Sequence, residues 1–332
     1  MGIRAHDHLG QEPGRRLRRL SVHLRAAFQP VPQPLQLGPP GLLRRRHRRA
    51  HHLSLGDRPR GRPRPAGDAA APTFLNVSGT ATTRVALIGD VHANLPALEA
   101  VLVHAEMQSA RAIWNVGDFL GYGAFPEEVV DLLGRVNAVS IIGNYDLKVL
   151  KFPDKDRKWR GSKHPLKWLA FKWAYEQLSP GSLEYLRYLP GEAKLSLNGK
   201  EFLLVHGSPA SNEEALVPET PGERLAGLSQ LARKKYGRGF DGIVFGHSHQ
   251  PFTRLIGETW FVNTGSVGRP GDGDPRACYA LMEVSAGGIT VEHFRLEYDL
   301  ERAAAAIREK GLPEAFAQMV LQGRELEEVL EE

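Results

Sequence analysis

Five short segments carry side chains that bind divalent metals: Asp90-Val-His92, Gly117-Asp118, Gly143-Asn144, His206-Gly207 and Gly246-His247-Ser-His249. Seven histidines occur after residue 80, and four of them fall in these segments, each beside the end of an apolar run. The donors are oxygen and nitrogen; the single cysteine, Cys278, lies elsewhere. Such a set suits Mn²⁺, Fe or Zn²⁺ rather than a thiolate site. If strand alternation persists through Asp90-x-His92 and His247-x-His249, residues i and i+2 share a face and each pair delivers two ligands to one place. Glycine before Asp118, Asn144 and His247 permits a sharp exit and a close backbone approach. A site for two ions needs a bridging carboxylate, and Asp118, central in the series, is the candidate.

The elements that must position these residues follow from pattern. "RVALIGD" (84–90), "AIWNVGD" (112–118) and "AVSIIGN" (138–144) read as buried strands. They alternate with amphipathic helices at 94–108, where Asn94 caps and Pro96 sits in the first turn, and at 126–136, which opens with acids. This alternation predicts a largely parallel sheet with right-handed crossovers. Residues 147–190 break the rhythm with helices. Asn198-Gly199 then turns a hairpin between "EAKLSL" and "EFLLVHG". A helix covers 222–236, and further strands are expected at "GIVFGHSH", "FTRLI", "WFVNTGS", "ACYALMEV" and "ITVEHFRL". Helices at 299–310 and 313–321 and an acidic tail close the 332-residue chain.

Residues 1–80 differ in kind. They hold 15 Arg, no Lys and ten of the 23 prolines, a net of +11 that leaves the remainder acidic at −6. The basic pI therefore does not mark the body as a nucleic-acid binder. The tail reads as disordered, or as upstream sequence from a misassigned start, rather than as a nucleic-acid arm. No apolar run reaches the roughly 20 residues that span a bilayer. With no secretory h-region and one cysteine, a cytoplasmic protein is expected.

The blocks GDVHAN, VGDFLGYG, IGNYD, VHGSP, FGHSHQP and NTGSVGRP, within about 84–295, resemble the calcineurin-like metallophosphoesterase superfamily. The likeness is greatest to its bacterial branch of small phosphodiesterases and diadenosine-tetraphosphatase-like proteins. It implies a two-sheet β-sandwich flanked by helices, an α/β fold over 84–298, with the dinuclear site at strand C-terminal ends. It implies Asp90, His92, His249 and bridging Asp118 around a first ion. It implies Asn144, His206, His247 and the same Asp118 around a second. Two ions, with Mn²⁺ favoured, would clamp phosphoryl oxygens and activate a shared water. Phosphodiester hydrolysis of nucleotides or nucleic acid, nuclease action included, is the leading expectation. A phosphomonoesterase, a protein phosphatase, a dinucleoside polyphosphate hydrolase and a silent scaffold are the alternatives.

One departure bears on mechanism. The family pattern has His after the asparagine, followed by an acid that orients it; here the pair is Tyr145-Asp146. A phenol donates a hydrogen bond but gives up its proton far less readily at neutral pH than an imidazolium does. Asp118, Asn144, Tyr145 and Asp146 are thus the candidate catalytic residues, with the role of Tyr145 open between holding phosphate, stacking on a base and packing. Residues 148–175 add nine Lys and Arg and three tryptophans, Trp159, Trp168 and Trp173. They read either as a charge-and-stacking surface or, slightly ahead, as an amphipathic cap with Leu166, Leu169 and Trp173 at helical spacing. Lys148 and Lys172 there, with Arg269 and Tyr145, are the candidate substrate contacts; solvation is the alternative for Arg269.

Overall fold

Alternate residues of the first strand, β1 (Thr83–Ile88), feed two different cores. Val85 and Leu87 pack with Phe202, Leu204, Val244 and Val262, while Ala86 and Ile88 pack on the other side with Leu98, Val101 and Leu102. A strand buried on both faces reads as a continuous apolar run, as "VALI" does. The computed structural model describes residues 82–331. The reading of 1–80 as a tail lies outside the described residues.

One sheet runs β10 (Gly288–Leu296), β9 (Ala277–Ser285), β1, β2 (Ala112–Asn115), β3 (Val139–Ser140). The other runs β4 (Glu192–Leu197), β5 (Lys200–Val205), β6 (Gly242–Phe245), β8 (Thr259–Asn263), β7 (Phe252–Ile256). The expected parallel unit is present, with β1 beside β2 and β2 beside β3, and β9 adds antiparallel to β1. The sheets face each other across Val85, Leu87, Trp114, Val116, Phe202, Leu204, Val244 and Met282. Burying each large apolar side chain contributes about 1.5–3 kcal/mol, so this layer is a main source of stability.

Helices cover the outer faces. Leu95–Met107 (α1) is capped by Asn94, whose Oδ1 accepts from Ala97 N at 3.3 Å. Pro126–Arg135 (α2) buries Val129, Val130, Leu132 and Leu133. Gly222–Tyr236 (α7) lays Leu225, Leu228 and Ala232 against the second sheet and ends at Gly237 in a left-handed cap. The helical segment expected over 147–190, here the insertion, holds four helices, the first opening three residues earlier: α3 (Asn144–Leu150), α4 (Phe152–Arg160), α5 (Pro165–Gln177) and α6 (Pro180–Tyr188). Its tryptophans pack inward: Trp159 and Trp168 join the core around Phe152 and Phe171, and Trp173 joins the one around Phe316. Each tryptophan thus serves packing.

Two expectations need correction. The third strand is two residues long, not seven. Ile142 N donates to Pro190 O rather than to a neighbouring strand, and Asn144 opens helix α3. The C-terminal acidic stretch, expected only as a tail, carries a helix of its own. After α8 (Leu300–Glu309) and α9 (Glu314–Gln322), a further helix α10 (Leu326–Leu330) packs Leu326 into the core holding Phe316, Ile307 and Tyr122.

Candidate metal centre

The ligands stand on loops that leave the strand conformation at once. Asp90, His92, Asp118, His247 and His249 all have positive φ, between 47° and 69°. The i, i+2 alternation thus stops at Ile88 and Phe245, and left-handed turns, not pleating, aim each pair. Such turns cost a non-glycine residue on the order of 1–3 kcal/mol and persist only where the surroundings fix them. Here backbone bonds do so: Asp90 N to Gly117 O at 2.9 Å, His92 N to Asp118 O at 3.0 Å, and Gly246 N to His206 O at 2.9 Å. The 263–270 loop stitches in as well, with Ser266 Oγ donating to Asp90 O at 2.8 Å. Two glycines are sterically required: a Cβ on Gly143 would meet Asp118 Oδ1 at 2.1 Å, and one on Gly246 would meet Asp90 Oδ2 at 2.2 Å.

Two groups emerge, Asp90 with His92 and His249, and Asp90 with Asp118 and His206, each buried with ligand atoms within 4.8 Å of one another. Asp118 Oδ1 accepts from Tyr145 N at 2.8 Å. Its Oδ2 lies 3.8 Å from His92 Nε2 and 3.4 Å from His206 Nε2, so one oxygen faces both halves. Asn144 Oδ1 sits 3.1 Å from His206 Nε2, and the half-buried His247 ring meets the His206 ring at 5.1 Å. All seven predicted ligands therefore converge.

The imidazoles are turned for metal binding. Nδ1 of His92 donates to Leu120 O and Nδ1 of His206 to Val116 O, each at 2.9 Å, which leaves both Nε2 atoms facing inward. His92 Nε2 and His249 Nε2 approach to 3.2 Å, although both cannot be acceptors without a cation or proton between them. Asp90 Oδ1 is buried with no hydrogen-bond partner. Converging Nε2 atoms, a buried carboxylate oxygen without a hydrogen-bond partner and an all-N/O donor set fit divalent ions.

Charge in this cavity is balanced by protons when metal is absent. Burial pushes the His92 imidazole down to about 3 and keeps it neutral. Burial would lower His206 and His249 too, but the Asp118 and Asp90 carboxylates prevail and lift them to about 9. Metal must displace those protons. Affinity should therefore rise with pH, up to about tenfold per unit for each proton displaced, and level off above about 9. Mn²⁺ titrations at pH 6.5 and 8 check this; equal affinities would contradict it.

The candidate catalytic and substrate residues divide. Asp146 was expected to orient its neighbour, but its oxygens serve the loops. They accept from Asp118 N and Gly143 N at 2.9 Å and from Leu120 N at 3.2 Å. Burial, with the Asp118 charge, pushes this carboxyl up to about 8 against those donors. The Tyr145 ring packs edge-on against His92 at 5.1 Å and against Phe171, and its hydroxyl meets the Tyr122 hydroxyl at 3.0 Å. Arg269 is buried rather than solvated. Its guanidinium lies over the Tyr122 ring at 4.5 Å, pairs with Glu325, and has its Nε unpartnered. Lys148 sits over the Tyr145 ring at 5.3 Å and binds Glu213 at 3.0 Å. Lys172 pairs with Glu176 one turn along α5 and is not brought to the ligands. Tyr122, Glu213 and Glu325 were not anticipated. For Tyr122, the "GDFLGYG" block carrying Asp118 was the available signal; the two glutamates had none.

Residues 83–287 match the model of the calcineurin-like phosphoesterase superfamily domain. The chain belongs to this superfamily. An uncharacterized Methanocaldococcus jannaschii protein is 31% identical over 259 residues, covering 72% of this chain and 98% of the relative. A metallophosphoesterase from Sphaerobacter thermophilus is similar in structure, with a TM-score of 0.58 and 30% identity over 73% of this chain and 99% of that one. A hypothetical protein from Pyrococcus horikoshii OT3 shares the fold, with a TM-score of 0.66 and 22% identity over 73% of this chain and 98% of that one. This phosphoesterase is thus a phosphoester hydrolase on a two-sheet fold, with a buried Asp/His group able to hold divalent metal. No helix among its described residues is long and apolar enough to cross a membrane.

Proposed function

We propose that the phosphoesterase is a dinuclear, metal-dependent phosphodiesterase of nucleotides, with Mn²⁺ the favoured ion. The observation that supports this most is Asp118 Oδ2, which faces His92 Nε2 on one side and His206 Nε2 on the other. When bound, two divalent ions neutralise phosphoryl oxygens and acidify a shared water. The chain's own residues do the rest. Asp90, His92, Asp118 and His249 would hold one ion, and Asp118, Asn144, His206 and His247 the other. Arg269, a buried cation with a free Nε–H beside Tyr145, is suited to a non-bridging phosphate oxygen.

Nucleotides are favoured over nucleic acid strands because the insertion's tryptophans are packed inward and offer no stacking row. Tyr145 in place of histidine leaves no imidazolium to protonate a departing alkoxide, which favours esters whose leaving groups depart as anions. A cytoplasmic setting fits the lone thiol, Cys278, which burial pushes up to about 12 and keeps unreactive. Metal-stripped protein reloaded with Mn²⁺, Zn²⁺ or Mg²⁺ should be assayed on bis-p-nitrophenyl phosphate, p-nitrophenyl phosphate, cyclic nucleotides, dinucleoside polyphosphates, and single- and double-stranded DNA. Preference for nucleotide diesters is expected; faster hydrolysis of the monoester would overturn the phosphodiesterase reading, and faster hydrolysis of DNA the nucleotide one.

A further inference from the structure

The superfamily match ends at residue 287, yet a residue 38 positions later reaches the metal centre. Glu325, at the start of α10, places Oε1 3.4 Å from His249 Nδ1 and Oε2 against the Arg269 guanidinium. On the opposite edge of the same imidazole, Nε2 lies 3.3 Å from Asp90 Oδ1. His249 is thus bracketed by carboxylates, one on its inward nitrogen and one behind it.

The other two buried rings have neutral acceptors behind them, the backbone carbonyls of Leu120 and Val116. Only His249 of these three has an ionised one. A carboxylate behind a ligating imidazole fixes the tautomer, orients the ring and raises its basicity, typically worth 10–100-fold in metal affinity. The placement of Glu325 is built rather than incidental. Leu326 beside it is buried among Phe316, Ile307 and Tyr122, and Lys167 pairs with Glu327. Gly271 makes room, since a Cβ there would come within 2.6 Å of Glu325 Oε1.

We propose that Glu325 is a positioning residue for His249, through which the C-terminal helices set the metal affinity of the Asp90–His92–His249 position. This rests on the two-ion reading above. The test is Mn²⁺ titration of metal-stripped full-length protein, wild type, Glu325→Ala and Glu325→Gln, followed by calorimetry and by electron paramagnetic resonance. Glu325→Ala should weaken one of two binding events by about 10–100-fold. The spin-coupled dinuclear signal should then give way to a mononuclear one at intermediate loading. Glu325→Gln, which keeps an acceptor oxygen near Nδ1 but removes the charge, should fall between and should fold even if the alanine variant does not. Wild-type titrations from both variants would overturn the inference, as would an equal weakening of both events. Asp118→Asn separates the two readings. If it loses an ion while Glu325→Ala binds both with wild-type affinity, the positioning role alone fails; if the wild type itself saturates at a single ion, the two-ion reading has failed.

Discussion

Asp118→Asn should lower phosphodiester turnover by about 1,000-fold, or some 4 kcal/mol in the barrier, and should cost the protein one bound ion. The aspartate divides its labour. Oδ1 accepts from Tyr145 N at 2.8 Å, and Oδ2 faces the two inward imidazoles at 3.4 and 3.8 Å. An amide of the same shape can keep only one of these. If its oxygen stays on the Tyr145 amide, its NH₂ points where two cations should share an anion. If it flips, the amide donors collide electrostatically at Tyr145 N. Either way the bridging charge is gone, while packing volume is kept. Elemental analysis of metal per chain and steady-state rates on bis-p-nitrophenyl phosphate check both halves; unchanged rates with full metal content would refute the bridging role.

Tyr145→His should change selectivity more than any other single substitution. The residue lies on the first turn of α3, its ring edge-on to His92 at 5.1 Å, so an imidazole there would border the ligand cluster. A general acid contributes roughly 100-fold or more when the leaving group is basic and little when it departs freely as an anion. Turnover of an alkyl phosphodiester should therefore rise by about 100-fold, while that of bis-p-nitrophenyl phosphate shifts by less than about threefold. A falling alkaline limb, absent from the wild type, should appear as the new imidazolium deprotonates. The change also strands the Tyr122 hydroxyl, 3.0 Å from its present partner, at a stability cost of about 1–3 kcal/mol. Equal factors on the two substrates, or loss on both, would show that Tyr145 does not stand at the leaving-group side.

The metal-type ligands were legible because few histidines exist in the body and most stand just after apolar runs, beside glycines whose missing Cβ the structure uses. The reason for their convergence was not. Asp90, His92, His247 and His249 are aimed by left-handed turns, a backbone state in which Asp and His are enriched but which stays uncommon even for them, so residue type alone does not place it. The same holds at "IIGNYD", where two apolar residues imitate a strand but Ile142 bonds to Pro190 and the helix begins at Asn144. Arg269 could be suspected but not buried on paper, since its shelter comes from Tyr122, Tyr145 and Glu325, far apart in sequence. Glu325 was least legible of all. It sits in an acidic stretch with no period, and its meaning arises only when the C-terminal helices fold back across the insertion.

The count of divalent ions bound by the metal-stripped wild-type chain bears most directly on the proposed dinuclear centre. Calorimetric titration with Mn²⁺ at pH 8, with diester hydrolysis followed in parallel, should show two ions per chain and activity that appears with the second. Saturation at a single ion with full activity, or hydrolysis that survives complete metal removal, would contradict it.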